Sequence, residues 1–234
     1  MSWAPKRFWA AVAVEPCEGG FTIRLDGRAV KTPAKAPLVV PARALAERIA
    51  TEWDAQEGPL RPETMPATRT ANSAIDKVRP KFAEVAEMLA EYGGSDLLCY
   101  RAGGPEALVA RQKAGWDPLL IWARQRFGAP LAVTEGVMHI PQPPASLAAL
   151  RTAVFGCDEF RLAALHDLVA ITGSLILGLA VAEGRIGAGE AFDLSRIDER
   201  WQIEQWGEDA QATATEAAKC RALHEAAQFH GLCG

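Results

Sequence analysis

The chain has 234 residues, of which 49% are hydrophobic and 23% are charged, and its formal net charge is -4. This composition is typical of ordinary globular proteins and excludes a disordered, fibrous or membrane-embedded chain. Nucleic acid is not expected as a partner, because the basic residues are scattered and the net charge is acidic. No membrane insertion is expected, since the most apolar stretch, residues 168–182, is shorter than the roughly 20 residues that span a bilayer.

The five cysteines are far apart and never form a C-x-x-C pair. An odd number at such spacing predicts neither a disulfide framework nor a zinc site. The opening segment, MSWAPKRFWAAVAV, lacks the long apolar core and the small-residue cleavage site of a secretory signal, so we expect no targeting peptide ahead of the folded region. A reducing compartment, most simply a bacterial cytoplasm, fits these features.

The first 40 residues contain four β-prone runs, at 7–14, 21–25, 28–32 and 37–40. Asp26 and Gly27 separate two of them. This dipeptide predicts a two-residue hairpin, because a type I′ turn needs positive φ at both of its central positions. A small antiparallel sheet is therefore expected.

Residues 41–56 have helical spacing, with Leu45, Ile49 and Trp53 on one face. We expect this helix to pack on the sheet. The proline-rich segment 57–66 then breaks regular structure and marks a domain boundary.

Beyond that boundary the apolar residues mostly repeat with a helical period. Helices are predicted near 68–79, 81–92, 105–127, 144–155, 158–183, 188–208 and 211–230, with a short extended piece around 131–140. The predicted fold class is α+β: a small β-rich N-terminal domain at residues 1–66, formed by an antiparallel sheet plus one helix, followed by a larger all-α helical domain at residues 67–234.

Motifs for nucleotide, metal or nucleophile chemistry are not found. Neither glycine-rich phosphate-binding pattern is present and no two histidines form H-E-x-x-H, so we expect no nucleotide, cofactor or metal. Ser174 is not in a G-x-S-x-G motif and is predicted to be a small packing residue inside a core helix, where Gly173 and Gly178 let neighbouring helices approach. Cys99 lies among apolar residues and is expected to be buried.

The segment DERWQIEQWGED, residues 198–209, combines two tryptophans with several carboxylates. At 100° per residue it forms two stripes, Ile197, Trp201, Glu204 and Glu208 on one side and Glu199, Ile203, Trp206 and Ala210 on the other. Because a single core buries only one stripe, one tryptophan is expected to be at least partly exposed. A solvated face accounts for the glutamates alone, whereas a protein interface accounts for the tryptophan as well, and the residues leave both readings open.

Several segments along almost the whole chain resemble one protein family. They are RFW at 7–9, LDGRAVKTP at 25–33, ATEWDAQ at 50–56, DLLCYRA at 96–102, the spacing of Gln112, Trp116 and Pro118, and DERWQIEQWGED. Together and in this order they resemble the assembly chaperone of the F-type ATP synthase that attends its α subunit. Family members are known from mitochondria and some bacteria, and this chain looks like a bacterial member. The resemblance implies a cytoplasmic location for this chain, whereas eukaryotic relatives are in the mitochondrial matrix.

The resemblance implies no enzymatic activity. It implies binding to the free α subunit of the soluble catalytic sector, over the surface that later meets a β subunit, so that aggregation is prevented until the β subunit replaces the chaperone. The partner-binding residues that it suggests are Trp53, Glu199, Trp201, Glu204, Trp206 and Glu208.

Two alternatives remain on the residues alone. One is a hydrolase or transferase that pairs Asp96 with one of the late glutamates, which predicts a deep pocket with converging acids of raised pKa. The other is an interaction module for a different protein.

Overall fold

A computed structural model describes residues 6–207 and 210–234, with side chains for 6–207 and 213–234. The chain forms two compact units. The first runs to Phe82 and adds Asp158–Ala164 and Gln228–Gly234, and the second comprises Ala83–Cys157 and Leu165–Ala227. The domain boundary at residue 66 stays a prediction.

Four short strands form the antiparallel sheet of the first unit: β1 (Val12–Cys17), β2 (Gly20–Leu25), β3 (Arg28–Ala29) and β4 (Val39–Val40). β2 is central, with β1 on one side and both β3 and β4 on the other. β1 is an edge strand in which Pro16 lies opposite Phe21. Asp26 and Gly27 have φ of 47° and 79° between β2 and β3, so the predicted hairpin turn is confirmed.

The strand predicted at 7–14 begins too early, because β1 starts only at Val12. The backbone N–H groups of Ala10 and Ala11 instead donate to the Asp26 carboxylate, at 3.1 and 2.9 Å. The Asp26 carboxylate therefore accepts the hydrogen bonds that a neighbouring strand would otherwise accept from these N–H groups.

The next helix, α1 (Arg43–Asp54), packs on β1 and β2 as predicted. Its apolar face is the expected one, since Leu45 and Ile49 are fully buried and Trp53 is half-buried. Burial of this face against the sheet forms the core of the first unit.

Nine further helices are described, α2 (Pro66–Ser73), α3 (Phe82–Glu91), α4 (Glu106–Phe127), α5 (Pro144–Phe155), α6 (Glu159–Thr172), α7 (Leu175–Ala182), α8 (Ala188–Ser195), α9 (Ile197–Trp206) and α10 (Ala210–Gly231). A π-helical turn, Ala74–Val78, and a 3₁₀ turn, Arg79–Lys81, join α2 to α3. Two short strands, β5 (Tyr100–Arg101) and β6 (Thr134–Glu135), pair in parallel. The predicted α+β fold class is confirmed. In the part of the chain described here, no helix is long and apolar enough to cross a membrane.

The single helix predicted at 158–183 is wrong, because Gly173, with φ of 70°, ends α6. Ser174 is the N-cap of α7 and not a packing residue inside a helix, since its hydroxyl accepts from the Leu177 N–H at 3.0 Å. The same hydroxyl donates to the buried carboxylate of Asp96 at 2.8 Å. The helix predicted at 188–208 is likewise divided into α8 and α9, at Arg196.

Gly178 allows the close approach of α7 to α6 that the sequence suggested. A Cβ atom at this position would lie 2.6 Å from Cγ2 of Val169. We expect Gly178→Ala to lower the free energy of unfolding by about 1–3 kcal/mol, because a close-packed core does not accept an extra methyl group without displacement. For a chain of this size, each kcal/mol of lost stability lowers the melting temperature by about 2–4 °C. The variant should therefore melt several degrees below the parent chain in a calorimetric scan.

Gly231→Ala is the matched control for this substitution. A Cβ at Gly231, in the last turn of α10, would meet no atom within 4 Å, so this variant should melt like the parent chain. Equal melting of the two variants would show that α6 and α7 are not closely packed at Gly178.

Candidate interaction surface

The helix α9 contains the segment rich in tryptophans and carboxylates, and none of its residues is buried. Trp201 is half-buried, whereas Trp206 is 81% exposed. The expectation that one of the two tryptophans is exposed is confirmed, and the exposed one is Trp206. Glu208 lies outside the described residues.

Polar contacts from α4 hold the other side of α9. The carboxamide of Gln112 donates to Oδ1 of Asp198 at 2.6 Å. The guanidinium of Arg111 donates to Oε1 of Glu204 at 2.7 Å and lies 4.8 Å above the centre of the Trp201 ring. The stripe that contains Trp201 and Glu204 therefore contacts α4, and Trp206 is left to solvent.

Both described glutamates of α9 have intramolecular partners and remain half-exposed. Glu204 pairs with Arg111, and this hydrogen bond lowers the pKa of the Glu204 carboxyl. Glu199 lies 3.4 Å from the guanidinium of Arg196, with half of its side chain exposed. A protein approaching α9 would therefore meet an exposed indole and half-exposed ion pairs, and not a cluster of free acids.

The face of α4 that contains Gly115 and Trp116 packs closely against Leu194, just before α9. Trp116, which is almost fully buried, donates from its indole N–H to the carbonyl of Leu194 at 2.8 Å. Gly115 lies beside it, and a Cβ there would be 2.7 Å from Cδ2 of Leu194. In the sequence, the spacing of Gln112 and Trp116 points to this face only through the family resemblance, and no local pattern indicates Arg111 or Gly115.

The EWDAQ segment has a structural role in the first unit. Glu52, only 4% exposed, accepts hydrogen bonds at 2.8 Å from the N–H groups of Ala67 and Thr68 and from the Thr68 hydroxyl. These donors lie in the first turn of α2, where unpaired N–H groups favour a carboxylate. Glu52 therefore caps α2 from a neighbouring helix.

Two further residues of the same segment fix the chain around it. The buried amide of Gln56 accepts from the N–H of Arg61 at 2.9 Å and donates to the Thr64 hydroxyl at 3.0 Å, which orders the proline-rich connection. Trp53 packs edge-on against Trp9 with ring centres 5.3 Å apart. Its suggested contact with a partner stays a prediction.

Asp96, the acid of the enzymatic alternative, is fully buried and binds only its own fold among the described residues. Its carboxylate accepts from the N–H of Leu98 at 3.0 Å, from the Ser174 hydroxyl at 2.8 Å and from the N–H of Ile176 at 3.0 Å. Burial raises the pKa of this carboxyl, although these hydrogen bonds lower it, and its partners within residues 6–207 and 210–234 include no late glutamate. The geometry gives Asp96 a capping role at the start of α7.

Cys99 is fully buried, as expected. Burial raises the pKa of its thiol to about 12, so the nucleophilic thiolate is not formed near neutral pH. Within residues 6–207 and 210–234, no group of three His, Cys, Asp or Glu side chains could hold a metal ion.

A cleft of about 390 Å³ in the first unit has Glu18, Asp158 and Glu159 among its lining residues. Two of these acids are engaged in the fold, because Asp158 accepts from the N–H groups at the start of α6 and Glu159 pairs with Arg79 at 2.8 Å. Neither Asp96 nor a glutamate of α9 lines this cleft.

Comparisons with known proteins agree with one another. Residues 6–124 match the family model of the ATP12 chaperone protein. The mitochondrial protein atp12 of Schizosaccharomyces pombe is 26% identical over 228 residues, which are 92% of this chain and 78% of that protein. The crystal structure of Atp12 from Paracoccus denitrificans is 52% identical over 98% of both chains, with a TM-score of 0.96. A candidate chaperone from Agrobacterium tumefaciens is 46% identical over 98% of this chain and 87% of the other, with a TM-score of 0.93.

Proposed function

This chain belongs to the ATP12 family of ATP synthase assembly chaperones, and from that premise we propose that it binds the free α subunit of the F-type catalytic sector. It covers the surface of the α subunit that later meets a β subunit, and prevents aggregation until the β subunit replaces it. Neither nucleotide nor cofactor takes part, because holding a partner in this way requires only complementary surfaces.

The observation that carries this proposal is the exposure of Trp206 on α9. An exposed indole on a helix that also has half-exposed ion pairs resembles a protein interface, where Trp and Arg are enriched and polar groups surround the anchor. In this proposal Trp206 is the anchor, while Glu199, Glu204 and Glu208 contribute polar contacts. Trp201 supports α9 from the side of α4.

The choice of the α subunit rests on the resemblance of the EWDAQ and QIEQWGE segments to the chaperone that attends that subunit. Trp53 is proposed as a second contact in the same interface. We also propose the bacterial cytoplasm as the compartment, which is supported by the relatives from Paracoccus and Agrobacterium and by five cysteines that form no disulfide in the described structure.

Mixing the chain with isolated α subunit, without ATP, tests the function directly. The chain should suppress the light scattering of aggregating α subunit at near-stoichiometric concentration. Glu204→Lys should raise the concentration needed for half suppression by about tenfold, or about 1.4 kcal/mol, because it reverses a half-exposed charge on the helix that contains the anchor and breaks the pair with Arg111.

The matched control is Glu87→Lys. Glu87 pairs with Arg151 at 2.8 Å and is 48% exposed at its side chain, which equals the exposure of Glu204 in its pair with Arg111. This control should protect the α subunit like the parent chain. No suppression by the parent chain would refute the proposed function, and equal protection by the two variants would remove α9 from the interface.

A further inference from the structure

We propose that Gln112 is a positioning residue, which sets the place of α9 on α4 by binding Asp198. The inference rests on the proposed function in one respect, namely that α9 contacts the α subunit. The position of α9 itself can be measured without any partner.

The carboxamide of Gln112 joins three segments of the second unit. Its side chain is 1% exposed, its oxygen accepts from the N–H of Ala102 at 2.8 Å, and its nitrogen donates to Oδ1 of Asp198 at 2.6 Å. Ala102 follows β5, Gln112 lies in α4, and Asp198 lies in the first turn of α9. One buried amide therefore connects the end of a strand, the middle of one helix and the start of another.

The direction of these two hydrogen bonds is fixed by chemistry. The backbone N–H of Ala102 is only a donor, so it must meet the oxygen of the Gln112 carboxamide. The NH₂ group is then turned toward α9 and requires an acceptor there, which Asp198 provides as a carboxylate. A hydrogen bond to an ionised acceptor is stronger than a neutral one, and the partial burial of this bond strengthens it further.

Other polar contacts at the start of α9 are made with segments other than α4. Arg196, which is 8% exposed, pairs with Glu199 at 3.4 Å and with Glu216 of α10 at 3.1 Å. Arg200 pairs with Asp193 of α8.

α9 has no buried residue, and its ion pair with Arg111 is half-exposed at both side chains. Exposed pairs of this kind contribute only about 0–1 kcal/mol. Among the polar contacts that α4 makes with α9, the part-buried bond from Gln112 is the one at the first turn. It therefore sets how that turn lies on α4, and with it the direction of Trp206, which lies roughly 12 Å further along the helix axis.

A cycle of substitutions that exchanges donor and acceptor tests this role. In Gln112→Glu the new carboxylate still accepts from Ala102 but faces the carboxylate of Asp198. In Asp198→Asn the amide oxygen still accepts from Gln112. In the double variant the amide introduced at position 198 donates to the carboxylate introduced at position 112, so the bond is restored with its direction reversed.

Two measurements report the result. We expect Gln112→Glu to speed hydrogen exchange of the α9 backbone amides in the free protein by about tenfold, and to require about tenfold more protein for half suppression of α-subunit aggregation. Asp198→Asn alone should stay within about threefold of the parent chain in both measurements, and the double variant should return to that range.

Gln112→Met separates positioning from space filling, because it keeps the volume and removes both hydrogen bonds. Its α9 amides should exchange as fast as those of Gln112→Glu, and adding Asp198→Asn should not slow them. If Gln112→Glu fails to fold, recovery of folding in the double variant supports the same conclusion.

The inference is overturned if α9 exchanges normally in Gln112→Glu, or if the double variant is no better than that single variant. Failure of the parent chain to protect the α subunit would refute the proposed function and would leave the exchange cycle as the decisive measurement of positioning. The two claims therefore fail separately.

Discussion

Trp206→Ala is expected to remove most of the protection of the α subunit while the chain stays as stable as before. The side chain is 81% exposed, so its truncation should change the free energy of unfolding by no more than about 0.5 kcal/mol. Truncation of an aromatic anchor at an interface costs about 2 kcal/mol or more, which corresponds to roughly 30-fold weaker binding. Urea denaturation and light scattering of the α subunit measure the two quantities separately.

Met138→Ala is the matched control for this anchor. Met138 is 77% exposed and follows β6, so its truncation removes a comparable exposed apolar side chain from another part of the second unit. It should protect the α subunit like the parent chain. Equal losses in the two variants would indicate unspecific apolar adhesion, and normal protection by Trp206→Ala would show that the indole is not the anchor.

Glu52→Ala is expected to cause a large loss of stability. It leaves three donors of Ala67 and Thr68 without their acceptor at the start of α2, in a site from which water is largely excluded. Unpaired buried donors cost about 1–3 kcal/mol each at most, and relaxation of the helix end offsets part of this, so we expect about 3 kcal/mol in total. The melting temperature should then fall by about 6–12 °C.

Glu47→Ala serves as the control on the same helix. Glu47 is exposed and its carboxylate pairs with Arg43 at 2.8 Å, so its loss should change stability by no more than about 0.5 kcal/mol. Equal melting of the two variants would contradict the capping role of Glu52.

Local patterns in the sequence were sufficient for the sheet and for most helices. The turn at Asp26 and Gly27 could be predicted because its backbone angles suit few other residues, and α5 was predicted at its observed bounds. The break between α6 and α7 was not predicted, since residues 168–182 have no charge and apolar residues continue on both sides of Gly173 and Ser174. The break is made by the positive φ of Gly173 and by Asp96, which bonds to Ser174 from 78 residues earlier.

The candidate site shows the same limit. Helical spacing predicted that one tryptophan of α9 is exposed, but it did not identify which one. That choice depends on Arg111 and Gln112, which reach α9 from 93 and 86 residues earlier along the chain. Contacts over such separations leave no period in a single sequence, so the side chains that orient the site had to come from the structure.

Pro16 lies in the edge strand β1 and limits which segments can pair with that edge. Cys17 and Gly20 flank a two-residue turn and form a hydrogen-bonded pair, so the next pair, Pro16 and Phe21, is not hydrogen-bonded. The nitrogen of Pro16 therefore faces away from β2. On that side of β1 the described residues place no other strand. An open edge presents N–H and C=O groups to any extended segment that arrives. Proline interrupts that row of donors, which makes the edge a poor template for an incoming strand. We therefore expect Pro16 to lower the tendency of β1 to pair with an extended segment of another chain.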